Sequence, residues 1–234
     1  MGAIFRREMT AYFTSPTAYI YFAVFNVFAG LFFTINCLSY ASADMSGVFS
    51  SMFMIFIFLI PILTMRLLSE EKKQKTDQCL LTSPVSLSGI VLGKYFAALA
   101  IYALSLVTFL LYAVILAAFA EISWAVVIGN IIGAFLLGSS FIAVGLFVSS
   151  LTENQVIAAI GGFVAMMLLY VIDMLSSLAT NTTVQKIISS LAFYSKYYEF
   201  TTGVFNLLNV IFFVSASVIF IFLTVRVLEK KRWA

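Results

Sequence analysis

The sequence predicts an all-α polytopic membrane protein with six transmembrane helices, and three observations carry that prediction. The chain is 63% hydrophobic and only 10% charged, with a mean hydropathy of +1.10, which leaves too little polar surface to cover a soluble core of this size. Six apolar runs approach the roughly 20 residues that a helix needs to cross a bilayer. The cations are distributed unevenly between the segments joining those runs, as the orientation rule for membrane proteins requires. The whole chain, residues 1–234, reads as one membrane domain with three polar or interfacial parts: 1–16, 66–94 and 181–202.

Residues 3–14 (AIFRREMTAYFT) predict an amphipathic interfacial helix. At about 100° per residue, Ile4, Phe5, Met9, Tyr12 and Phe13 fall on one side and Arg6, Arg7, Thr10 and Thr14 on the other. Ser15-Pro16 ends it, because the residue before a proline avoids the helical region. The first span is expected over Thr17–Leu38. Ala41-Ser42-Ala43 imitates a signal cleavage site, but the apolar run before it is too long for a signal peptide, so the span is expected to be retained. Asn26 and Asn36 within it are expected to hydrogen-bond between helices. The second span is expected over Val48–Met65, with a kink or early end at Pro61. The third and fourth are expected over Tyr95–Phe119 and Trp124–Ser149. The fourth carries Gly129, Gly133, Gly138, Ser139, Ser140 and Gly145, small residues that let helix backbones approach closely in lipid. Val156–Leu178 is the fifth, with Asp173 in its outer part. Asn181–Thr202 is too polar to span and too apolar for water, and reads as short re-entrant-like helices at the outer interface, where tyrosine is favoured. Gly203–Val227 is the sixth span.

An even number of spans puts both termini on one side. If that side is the cytoplasm, eleven cations lie inside (Arg6, Arg7, Arg66, Lys72, Lys73, Lys75, Lys94, Arg226, Lys230, Lys231 and Arg232) and two, Lys186 and Lys196, outside. That asymmetry predicts a multi-pass protein of a bacterial plasma (inner) membrane with cytoplasmic termini. With no histidine in the chain, imidazole metal sites and Ser-His-Asp triads are excluded. No metal site and no catalytic residue is expected, nor a nucleic-acid partner. Cys37 and Cys79 are expected at opposite sides of the membrane and so unable to pair. Glu121 and Glu199 are expected at the outer surface, and the methionines as adaptable packing.

The polar interval from Arg66 to Lys94 holds eight of the 23 charged side chains, and for that reason is the segment through which the chain is expected to meet the aqueous phase. Leu67–Leu81 reads as a helix parallel to the membrane, with Glu70 and Glu71 early and Lys72, Lys73 and Lys75 after them, in accord with the helix dipole. Ser83-Pro84 stops it. An exposed basic loop is the bland reading. A folded elbow of this length suggests instead a docking surface for a cytosolic protein.

The run EKKQKTDQCLLTSPVS, Glu71 to Ser86, closely resembles the E-K-R-x-G-T-x-E-L-L-L-T-S-P-V-S pattern of type-2 ABC exporter permeases, particularly the small six-span permeases of the gliding-motility and copper-processing-like group. Pro61-Ile62-Leu63-Thr64-Met65-Arg66 matches their P-x-L-T-M-R ending of the second span, and Ser15-Pro16-x-Ala18-Tyr19 matches near the start. The pattern's glycine is Lys75 here, and its glutamate is Gln78. The resemblance implies a pair of permeases, identical or different, in contact with membrane lipid, above a dimer of cytosolic ATPases. It implies that the helix of the polar interval is a cytoplasmic coupling helix between spans two and three, with Glu70, Glu71, Lys72, Lys73, Thr76, Leu80, Leu81, Ser83 and Pro84 as coupling residues. No Walker A loop occurs in the chain, so ATP and Mg are expected on the partner ATPase, with no cofactor held here and no enzymatic activity of its own. Asp173 is a candidate for the translocation path, because ionisable groups at membrane depth are functional candidates. Three rival classes are a channel, an intramembrane enzyme, and a membrane scaffold that anchors an ATPase for motility or assembly. The spans carry no filter-like loop for the first and no paired carboxylates for the second. Sequence does not separate the third from export.

Overall fold

The computed structural model describes residues 1–76, 86–178 and 190–233. Helices follow one another as α1 Gly2–Thr14, α2 Pro16–Phe33, α3 Ser46–Thr64, α4 Arg66–Lys73, α5 Leu87–Ala117, α6 Trp124–Leu151, α7 Gln155–Leu178, α8 Phe193–Thr201 and α9 Leu207–Trp233. Among the described residues there is no strand, and six helical segments are long and apolar enough to cross a membrane.

The boundaries have local causes. Ser15 is extended (φ −97°, ψ 152°), and Pro16 opens α2, where its fixed φ suits a first helical turn and its missing N–H costs nothing. The first span runs on past Phe33 as a π-helical turn, Thr34–Ser39. Pro61 lies inside α3, and the helix is interrupted four residues later at Met65, whose N–H still bonds to the Pro61 carbonyl at 2.8 Å. α5 begins at Leu87, eight residues ahead of the expected Tyr95, because Ser86 caps it by accepting from the Gly89 N–H at 3.2 Å. α9 starts at Leu207 rather than Gly203, because Gly203 takes a left-handed conformation (φ +82°) in the turn after α8.

The centre of the bundle is α6. Of its most apolar window 72% is buried, against 17% in α7 and 22% in α9. Its small residues explain this, and the structure names the partners that sequence left open. Gly133 admits Phe200 of α8, Gly138 the ring of Tyr102 of α5, and Gly145 the side chain of Thr64 of α3. Tyr102 then donates to the Ala134 carbonyl at 2.7 Å, and Ser140 donates to the Phe213 carbonyl of α9 at 2.9 Å. Gly129 differs: it faces open space. Beside α6, Phe25, Phe49, Phe56 and Phe109 form an aromatic core, with Phe49 and Phe109 centroids 4.6 Å apart. Asn26 bonds between helices as expected, accepting from Thr108 of α5 at 3.0 Å, whereas the Asn36 amide donates to Phe32 in its own helix.

Candidate coupling site

α4 is short, and its end is defined by backbone chemistry. The Thr76 N–H bonds to the Glu71 carbonyl (3.0 Å) and the Lys75 N–H to the Lys72 carbonyl (3.1 Å). Lys75 stands between them with φ +58°. This pair of bonds around a left-handed residue is the Schellman arrangement, which favours glycine. The helix expected over Leu67–Leu81 therefore stops at Lys73, and the stop falls at Lys75, where the permease pattern has its glycine. Leu80, Leu81, Ser83 and Pro84 lie outside the described residues.

The start of α4 is held by α6. A helix leaves its first N–H groups without intrahelical acceptors. The Ser149 hydroxyl accepts from Leu68 N (3.2 Å) and Ser69 N (3.1 Å), and donates to the Met65 carbonyl (3.1 Å). One turn on, Lys72 is buried and its ammonium donates to the Ser150 carbonyl, at the C-terminal end of α6. Leu67 and Leu68 are buried beside it.

A charge cluster fixes the other flank. The Lys94 ammonium, on α5 and only 1% exposed, lies 3.0 Å from a Glu8 oxygen of α1 and 2.9 Å from a Glu71 oxygen of α4. Arg7 reaches Glu8 at 2.7 Å and also pairs with Glu71. Two cations thus meet two carboxylates, and three helices from distant parts of the chain are joined. Arg66 forms a two-pronged pair with Glu70 (2.7 and 3.0 Å) and donates to Thr17. Tyr12 donates to the Leu63 carbonyl at 2.9 Å.

The expected coupling residues accordingly divide. Glu71 and Lys72 face the bundle, Glu70 is half-buried against Arg66, and Lys73 and Thr76 are exposed together with Gln74 and Lys75. Glu8, Lys94, Ser149 and Ser150 were not legible as site residues. Glu8 had a usable signal: Ile4, Glu8 and Tyr12 recur at four-residue spacing, and the two flanking residues are buried. The protein-facing side of α1 is centred on that row. Phe13, expected on the apolar face, is exposed.

At the opposite end of α6, α8 is held by its termini. The Asp173 carboxylate, 7% exposed, accepts from Tyr194 N (2.5 Å), Ser195 N (3.1 Å) and the Ser195 hydroxyl, all in the first turn of α8. The Asn130 amide, with its nitrogen turned towards α8, donates to the Phe200 and Thr201 carbonyls at 2.8 and 3.2 Å. An anion at the N-terminus and a donor at the C-terminus both match the helix dipole. Tyr197 donates to the Phe49 carbonyl of α3 at 2.9 Å. Lys196 sits 4.3 Å from the centroid of Phe212, and burial pushes its pKa down, against the pull of Asp173 and Glu199. Glu199 is half-buried rather than fully exposed, and accepts from Asn209 at 2.6 Å. Asn130 carries the same sequence signal as Asn26, an amide within an apolar span.

A family model described as ABC-2 family transporter protein matches residues 5–233. No curated protein matches the chain.

Proposed function

Because the chain belongs to the ABC-2 transporter family, we propose that it is the permease of an ATP-driven exporter, powered by a separate cytosolic ATPase that seats on α4 and the turn after it. Family membership and the six apolar spans make it the multi-pass membrane component of an ABC transporter. The observation that carries the coupling reading is the two-sidedness of α4. Its last residue and the turn beyond, Lys73 to Thr76, are exposed. Its inner side is joined to α6, α5 and α1 through Ser149, Lys72, Glu71 and Lys94. A helix exposed to a partner and anchored in the bundle can receive a load and pass it on. ATP and Mg bind the ATPase dimer, and closure of that dimer displaces α4 and shifts a pair of permeases between inward- and outward-facing states. The cation asymmetry supports a cytoplasmic position for α4 and both termini, in a bacterial plasma membrane. In this reading Asp173 seats α8 at the outer end of the path.

The test is Lys73→Glu with Lys75→Glu, and separately a Gly-Gly insertion after Lys73, assayed in membranes with the cognate ATPase. Transport and co-purification of the ATPase are expected to fall while the permease keeps its thermal stability. Undiminished ATPase binding and normally stimulated hydrolysis with both variants would overturn the reading.

A further inference from the structure

We propose that α6 carries the movement of α4 to α8, through a polar hook at each end: Ser149 towards α4 and Asn130 towards α8. This rests on the reading of α4 as the driven helix, and goes beyond it by assigning the route and two positioning residues.

The two hooks stand 19 positions apart on one unbroken helix, about 30 Å at 1.5 Å per residue. α6 is the most buried of the spans and contains no proline. Asn130 is fully buried, and its two bonds to α8 carbonyls are reinforced where Gly133 admits Phe200, while Phe141 of α6 stacks at 6.0 Å on Phe193 at the start of α8. At nine residues α8 is too short to hold a position by itself. Its place is set by what grips its ends: α6 packs on both, but the polar grips come from different helices, Asp173 of α7 at the N-terminal end and Asn130 of α6 at the C-terminal end. A shift of α6 against α7 therefore swings the C-terminal end of α8. That end forms part of the wall of a cavity of about 580 Å³, where Tyr198 and Thr202 face Asp44, Ser46, Glu121 and Ser123. The swing reshapes this cavity.

The rival route is α3, which runs directly into α4 and touches α8 through Tyr197 and Phe49. It is the less regular rod, because Pro61 cannot donate to the carbonyl one turn back. Met65 itself keeps helical dihedrals (φ −54°, ψ −33°), so α3 and α4 follow one another almost in line, and the weak point of this route is the bond missing at Pro61.

The experiment uses the full permease with its ATPase in vesicles of both orientations, after Cys37→Ala and Cys79→Ser. One reporter, Gln74→Cys, sits beside α4, and the other, Tyr198→Cys, sits on α8. Each is labelled by a membrane-impermeant maleimide with and without ATP and Mg. In the otherwise unaltered protein both labelling rates are expected to change with ATP, by about fivefold or more, the lower end of ordinary coupling between sites. In Asn130→Ala, and independently in Gly133→Ala, where a new methyl would stand 2.5 Å from Phe200 Cβ, the Gln74→Cys response is expected to persist and the Tyr198→Cys response to vanish. The surviving response also shows that the variants fold and engage ATP. Ser149→Ala is expected to weaken the α8 response, and Ser149→Thr to restore it. A Tyr198→Cys response that survives both Asn130→Ala and Gly133→Ala, or that is lost instead in Tyr197→Phe, overturns the α6 route while leaving the function intact. If neither reporter responds to ATP in the unaltered protein, the coupling reading and this inference fall together.

Discussion

The two ends of α6 solve the same problem with different chemistry. At each, a short helix must be held against a bundle that hydrophobic force alone does not organise in lipid. The α4 end uses opposite charges: Lys94 between Glu8 and Glu71, Arg7 across both, and Arg66 on Glu70. The α8 end uses neutral amides, hydroxyls and one carboxylate aimed at helix termini, set among stacked rings. A charge cluster is costly to break by halves, since a lost partner leaves another charge buried and uncompensated. At a capped helix end each cut contact leaves single neutral backbone groups unpaired, a smaller penalty of about 1–3 kcal/mol. The contacts of the α4 end thus depend on one another, whereas those of the α8 end are more nearly separate.

The comparison can be tested by its energies. Lys94→Met is expected to be the most damaging, costing about 3–5 kcal/mol, because it leaves Glu8 and Glu71 with Arg7 as their one shared cation and one negative charge uncompensated. Thermal unfolding in detergent measures it, and adding Glu8→Gln is expected to recover part of the loss. If the single substitution proves mild, the cluster does not hold the α4 end. Asn130→Ala comes next, at about 1–3 kcal/mol, because it removes two bonds to α8 carbonyls, of which that of Phe200 keeps its bond from the Gly203 N–H. Its loss is expected to add to that of Lys94→Met, since the sites share no partner, and marked non-additivity would show that the two ends are not separate. Ser149→Ala is expected to cost about 1 kcal/mol, the usual value of a lost N-cap. Hydrogen exchange read at the Leu68 and Ser69 amides localises the effect. The smallest change is a gain: Lys75→Gly relieves the left-handed residue and is expected to stabilise by about 0.5–1 kcal/mol. An unchanged melting temperature would mean that the turn after α4 contributes little.

How far the sequence could be read follows from what periodicity reports. The number of spans, the Ser15-Pro16 break and the small-residue seam of α6 are local signals, and each was legible, whereas the starts of the third and sixth spans were not. Partners were not. Glu71 lies 64 residues from Arg7, and Lys94 lies 86 from Glu8, so no pattern along the chain connects them. A run of charges between two apolar spans reads as solvent-exposed, and for Lys73 and Thr76 that is right. For Glu71 and Lys72 it fails, because α1 and α6 cover them. Asp173 was legible as unusual, but its role was not: its acceptors serve backbone N–H groups some 20 residues further on, and a backbone donor leaves no mark in side-chain composition.

The Ser149 hydroxyl has a mechanical consequence. One oxygen serves two N–H groups and one carbonyl at the head of α4, so these three bonds do not stretch independently. A small force strains all of them together, and a sufficient force frees them together. Under the coupling role proposed for α4, such a seat would act as a detent that turns a gradual push into a step.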